Sequence, residues 1–133
     1  YDLYAELLTP LAERELLELP RLPADCRSNY HMFYVLLPSS DVRDALMGHL
    51  RSLGITAVFH YIPLHNSPMG KSLTETSPTL PVTEELSARL LRLPFFYEIT
   101  DEEQQLVADS IAEFLSLSPR FAMPGQQPES AHR

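Results

Sequence analysis

The sequence predicts a small two-layer α/β domain, and three observations carry that prediction. Two short apolar runs rich in β-branched and aromatic residues, Asn29 to Leu37 and Ile55 to Tyr61, bracket one helix-sized amphipathic stretch, the order and length of a strand-helix-strand unit. Helical patterns flank that unit, at Tyr1 to Leu19 and again after Thr100. With 133 residues, 44% apolar and 21% charged, the chain is large enough for one domain with a real core.

Each element has a local reason. Tyr1 to Leu19 is rich in Leu, Glu and Ala, which favours helix, and Pro10 is expected to split it into two pieces by removing a backbone donor. Leu19-Pro20-Arg21-Leu22-Pro23 is extended, because a residue before proline is driven out of the helical region, and reads as a connector or an edge strand. The run centred on His31-Met32-Phe33-Tyr34-Val35-Leu36-Leu37, stopped by Pro38, is expected to be the central strand. Ser39, Ser40 and Asp41 offer capping oxygens to a helix whose buried face is Val42, Leu46, His49, Leu50 and Leu53, with Gly54 placed to end it. After the Ile55 to Tyr61 strand, a Ser-, Thr- and Pro-rich stretch to Leu80 reads as a long loop, a length that marks binding loops or disorder.

Thr83 is expected to cap a helix running through Arg92, with Glu84 and Glu85 near its positive end and Glu85 at pairing distance from Arg89. Leu93-Pro94-Phe95-Phe96-Tyr97 follows as a short extended segment. Thr100-Asp101-Glu102-Glu103 is a capping box that opens a last helix with Val107, Ile111, Phe114 and Leu115 on its buried stripe. Residues 1–117 are thus expected to form the domain, and Ser118 to Arg133, with three prolines and no period, a disordered tail.

Composition narrows the function classes. A formal net charge of -8, with ten Lys plus Arg and no basic cluster, argues against nucleic acid. No run approaches the ~18 apolar residues of a membrane span, and Cys26 is the only cysteine, so a reducing, cytoplasmic setting is the expectation. The chain opens at Tyr1 already in helical pattern and without an initiating methionine, which reads as a piece of something longer.

The candidate working surface is Ala57 to Gly70, where a strand runs into two prolines and a glycine while His60, Tyr61 and His65 remain to face a ligand. Ordinary surface or core histidines are the alternative. Gly70-Lys71-Ser72 resembles the end of a phosphate loop, but His65 stands where that motif needs glycine. His60 and His65 lack nearby partners for a metal, and Cys26, read as a small partly buried residue, lacks a local base. Arg89 and Arg92 could hold a phosphate or simply line a solvated helix face.

Three motifs in order carry a resemblance: His31-Met32-Phe33-Tyr34; Ala57-Val58-Phe59-His60-Tyr61-Ile62-Pro63-Leu64-His65 with Pro68 and Gly70; and Leu90-Leu91-Arg92-Leu93-Pro94 with Phe96-Tyr97. On these the chain resembles the C-terminal domain of the DegT/DnrJ/EryC1/StrS sugar aminotransferases, most closely the dTDP-4-amino-4,6-dideoxygalactose transaminases. The resemblance implies the small domain of a fold type I enzyme, a short, mostly antiparallel sheet with helices, whose large domain binds pyridoxal phosphate on a lysine and moves an amino group from glutamate to a 4-keto sugar nucleotide in cell-surface polysaccharide biosynthesis. It also implies a homodimer, and a sugar-nucleotide pocket to which His65, with Tyr61 and His60 beside it, contributes. His31 is expected to pack or orient the sheet.

The only lysine, Lys71, lies outside the family's cofactor motif, so the chain alone is expected to be inactive and to bind no cofactor. Two other readings remain: a stand-alone ligand-sensing or interaction module, and a metal-dependent hydrolase using His60 and His65.

Overall fold

The computed structural model describes residues 1–73, 76 and 78–117; the expected tail at 118–133 lies outside them. The elements run α1 (Asp2–Glu13), β1 (Tyr34–Leu36), α2 (Ser40–Ser52), β2 (Val58–Phe59), a 3-10 turn (Leu64–Asn66), α3 (Pro68–Leu73), α4 (Pro81–Arg89), β3 (Leu90–Arg92) and α5 (Asp101–Leu117).

The sheet order is β1-β3-β2, with β3 antiparallel to both neighbours. The strand expected at the centre is therefore flanking, and the central strand is a segment read from sequence as the end of a helix. The reason lies in Leu90-Leu91-Arg92-Leu93. Leu91 and Leu93 are buried while Leu90 and Arg92 are half-buried, a period of two that a pleated strand satisfies and a helix does not. β1 and β2 thus run parallel with β3 between them, and α2 is the connection that crosses from one to the other. Both outer strands are also shorter than the apolar runs that announce them.

Capping explains where the helices start and stop. Ser39 Oγ accepts from Val42 N at the start of α2, and at its end Gly54, at φ +79°, sends its N–H to Arg51 O while Ile55 N reaches Leu50 O. That pair of bonds is a Schellman closure, which needs the left-handed backbone that glycine adopts without strain. In α5 the capping box forms as expected, Glu103 N to Thr100 Oγ1 at 3.1 Å and Thr100 N to Glu103 Oε2 at 2.9 Å.

Other expectations fail. α1 runs through Pro10 unbroken: one bond, to the carbonyl of Glu6, is lost, and buried Leu8 and Leu11 on either side hold the turn in place. The cap of α4 is not Thr83: Leu80 holds the N-cap position, Pro81 opens the helix, and Glu84 reaches back to Leu80 N at 3.1 Å. The stretch to Leu80 is no single loop, since it contains the 3-10 turn and α3. Leu53 faces solvent rather than the core, and Cys26 is exposed, 3.8 Å from Asp25 Oδ1.

The core lies between the sheet and α1, α2 and α5, with α5 packed against both other helices. Leu8, Phe33, Val35, Leu46, Leu91 and Ile111 are fully buried in it. Burial of this kind contributes about 1.5–3 kcal/mol per large side chain and is the main force holding the layers together. Around Phe33 an aromatic group closes one end, with Tyr1 and Tyr4 rings 4.8 and 5.1 Å from it.

Candidate functional site

His60 and Tyr61 leave the end of β2 with their rings 5.0 Å apart. Tyr61 is 77% exposed, while His60 is half-buried and its Nδ1 is buried without a partner among the described residues. Pro63 then fixes an extended turn-in to the 3-10 turn, in which Asn66 N bonds Pro63 O at 2.8 Å and His65 is the middle residue.

His65 behaves differently from Tyr61. Only 8% of its side chain is exposed, and its Nε2 lies 2.9 Å from Glu84 Oε1 on the first turn of α4. The structure thus brings His60 and Tyr61 together at the strand exit and ties His65 to α4. Glu84 was visible in sequence only as a charge near a helix start; its partnership with a residue nineteen positions away carries no local signal. The Glu84 carboxyl is held below the ordinary glutamate range, first by the hydrogen bond from His65, then by that from Leu80 N, with Asn66 contributing further.

The turn is locked from the other side by Gly70. A Cβ there would stand 1.8 Å from Leu64 O, so only glycine lets α3 approach the turn this closely. Ser67 Oγ donates to Leu64 O at 2.8 Å and accepts from Gly70 N at 2.9 Å, joining turn and helix beside His65.

The remaining candidates divide. Arg89 is engaged within the fold: its guanidinium bridges Glu18 and Glu85 and its Nε donates to Leu37 O, which commits three of its five N–H donors and sets two carboxylates against any phosphate. The Glu85–Arg89 pairing is as the spacing predicts. His31 does not orient the sheet, being exposed with Nδ1 2.6 Å from Asn29 Oδ1. Two clefts, about 660 Å³ beside Glu18 and Arg89 and about 420 Å³ between Leu53 and Phe96, lie away from His60, Tyr61 and His65. Among the described residues no three His, Cys, Asp or Glu side chains stand close enough to hold a metal, and no helix is long and apolar enough to cross a membrane.

Lys71 sits exposed near the end of six-residue α3, whose described residues are all unburied, and it lines neither cleft. These residues do not compose a site for a lysine-bound pyridoxal phosphate, which needs an enclosed ring pocket and a phosphate cradle beside that lysine.

The segment around the site is apolar and outward-facing. Apart from the His65 side chain, the 3-10 turn, α3 and α4 bury no residue, while Tyr61, Ile62, Leu64, Met69, Leu73 and Val82 are exposed. Short helices of this length are not stable by propensity alone and are normally held by packing of an apolar face.

Comparison with known proteins accounts for the arrangement. The chain is 35% identical over 112 residues to a pleiotropic regulatory protein of Geobacillus stearothermophilus, covering 84% of this chain and 30% of that one. It is 34% identical over 113 residues to UDP-N-acetyl-3-dehydro-alpha-D-glucosamine 3-aminotransferase of Acidithiobacillus ferrooxidans, covering 84% and 28%. Its fold matches the crystal structure of NtdA from Bacillus subtilis with bound cofactor PMP, with a TM-score of 0.75 and 25% identity, over 86% of this chain and 26% of that one. The chain therefore spans about 30% of the length of the curated relatives it matches. Its helices and three-stranded antiparallel sheet are those of a part of fold type I aminotransferases. Residues 1–112 match the model of the DegT/DnrJ/EryC1/StrS aminotransferase family, and this chain belongs to that family.

Proposed function

We propose that this chain works as the small C-terminal domain of a pyridoxal-phosphate-dependent sugar-nucleotide aminotransferase, docked on a cofactor-binding large domain. One observation carries the reading. Three consecutive helical segments that bury no apolar residue and carry an exposed apolar edge occur in a chain that spans about 30% of its relatives, as expected of a surface made to be covered by the rest of such a protein.

In this reading the large domain supplies the lysine and the electron-sink chemistry, and the 133 residues alone are inactive. His65, with Tyr61 and His60, forms part of the sugar-nucleotide pocket. The substrate is a dTDP-4-keto-6-deoxy sugar aminated from glutamate, in cell-surface polysaccharide biosynthesis, and the assembled enzyme is a cytoplasmic homodimer. The resemblance of the Ala57 to Gly70 motif supports the nucleotide and the sugar. The test is to express the chain together with whatever coding sequence precedes Tyr1, record the absorbance of lysine-bound pyridoxal phosphate, and assay His65→Ala with dTDP-4-keto-6-deoxyglucose and glutamate. A cofactor band with a raised KM for the sugar nucleotide in the variant supports the reading. Unchanged KM and turnover in His65→Ala removes His65 from the pocket, and absence of the band removes the aminotransferase.

One observation favours a second reading, a stand-alone binding or interaction module: the relative at 35% identity is named for regulation and not for catalysis. Failure to bind the cofactor, with retained binding of a nucleotide sugar by the chain alone, distinguishes it.

A further inference from the structure

The two outer edges of the sheet are finished differently. On β1 a bridge to Glu18 closes the outer side at Leu36, with Glu18 N donating to Leu36 O at 2.8 Å and Leu36 N to Glu18 O at 3.0 Å. Glu18 is charged and paired with Arg89, and Pro20 and Pro23 follow it, so this edge carries the devices that keep a further strand away.

The β2 edge carries none of them. Val58 and Phe59 pair with β3 on one side, and among the described residues no backbone group from Thr56 to Ile62 bonds another backbone group outside that pairing. Buried Ile55 and Ala57 with exposed Thr56 between them keep the alternation of an extended chain, so the edge continues upstream of Val58. From Ser52 to Gly70 there is no Asp, Glu, Lys or Arg, and Val58, Phe59, Tyr61 and Ile62 are exposed. Successive residues of a strand turn their N–H and C=O groups to opposite edges, so outward donors and acceptors stand here beside apolar side chains.

We propose that the free edge of β2 is completed by an extended strand from the rest of the polypeptide, paired to it through main-chain hydrogen bonds. This rests on the reading that a large domain docks on the chain, and it specifies the contact. Three observations favour that occupant over a second copy. The chain spans about 30% of its curated relatives, whose remaining length is ample to supply a strand. The edge runs directly into Tyr61, Ile62 and Leu64, the apolar surface already assigned to the large domain. A formal net charge of -8 on each copy opposes bringing two copies edge to edge.

The test compares amide exchange in the chain with exchange in the protein extended by the coding sequence that precedes Tyr1, whose lysine-bound pyridoxal phosphate absorbance is recorded separately. Outward amides between Thr56 and Tyr61 are expected to exchange freely in the chain and at least about a hundredfold more slowly in the extended protein. Val58→Pro and Phe59→Pro separate the two sides of the strand. One removes a donor to β3 and lowers the urea midpoint of the chain; the other removes an outward donor and leaves the midpoint near the parent's. In the extended protein this second variant is expected to speed exchange of the outward amides two residues away about tenfold, the loss of one backbone hydrogen bond. If both prolines unfold the chain, the exchange comparison alone decides. Unslowed amides in an extended protein that shows the cofactor band overturn the strand and leave the aminotransferase reading standing; slowed amides without the band uphold the strand and remove that reading. With neither, both fall. Slowed amides indifferent to the outward proline overturn main-chain pairing. Slowing that grows with concentration in the chain itself, and is no greater in the extended protein, gives the edge to a second copy and overturns the proposal.

Discussion

The Tyr4 hydroxyl donates a 3.0 Å hydrogen bond to the Pro94 carbonyl, tying the first turn of α1 to the segment that leaves β3, ninety positions along the chain. Tyr4 is fully buried, and that burial first, with the charge of Glu103 second, pushes its phenol well above the ordinary tyrosine range. Tyr4→Phe keeps the ring against Phe33 but strands a carbonyl, at an expected cost of about 1–3 kcal/mol by urea unfolding. A raised value means the fold favours the protonated phenol. The contribution is complete below the ordinary value of 10.0 and lost as pH rises through the folded value, so Tyr4→Phe is expected to flatten the alkaline limb of the stability profile.

Leu91 sits opposite Val35 and Phe59 in the middle of the sheet and is fully buried. Leu91→Ala is expected to cost about 2–5 kcal/mol, because the cavity opens where strands and helices meet. Val58→Ala, on an exposed edge position, is expected to change stability by less than about 0.5 kcal/mol. Comparable losses for the two substitutions would contradict the strand order.

That contrast also marks what could be read without coordinates. The caps at Ser39, Gly54 and Thr100 are local chemistry, complete within four or five residues, and the sequence states them outright. The place of Leu90–Arg92 is different, since its helical neighbours and its Glu85–Arg89 pair extend a helix pattern up to the strand, and only pairing with Tyr34–Leu36 on one side and Val58–Phe59 on the other decides the matter. The site follows the same division. Tyr61 and His60 could be placed at a strand exit from the run Ala57 to Pro63, whereas the Glu84 contact and the closure of Gly70 on Leu64 depend on how separate segments meet in space.

Glu84 gives the region a pH dependence of definite sign. Its carboxyl is lowered in the fold by the bonds from His65 and Leu80, so the contribution is present above the ordinary value of 4.5 and lost as pH falls through the lowered one. Between neutral pH and about 5 the contact is expected to persist; in stronger acid, the amide of Leu80 is expected to lose exchange protection before the core amide of Leu91 does. Since α4 buries no residue, this opening leaves the main thermal transition in place at mildly acid pH. Simultaneous loss of both protections at every acid pH would show that the contact is coupled to the core.

The apolar edge sets the last expectation. Tyr61, Ile62, Leu64, Met69 and Leu73 lie within thirteen residues of chain, and Leu64 is 83% and Leu73 76% exposed. Surface of that kind is seldom left in water by a monomer, so the isolated chain is expected to self-associate with rising concentration in sedimentation velocity. Leu64→Glu with Leu73→Glu places two charges on the edge and touches nothing in the core. The pair is expected to weaken association by more than about tenfold, given about 1.5–3 kcal/mol for burying each leucine, while leaving the unfolding free energy within about 0.5 kcal/mol. In the two-domain assembly proposed above, the same pair is expected to loosen docking of the large domain. A parent chain that stays monomeric at high concentration would mean the edge is adequately solvated, and covering by a partner would no longer be needed to explain it.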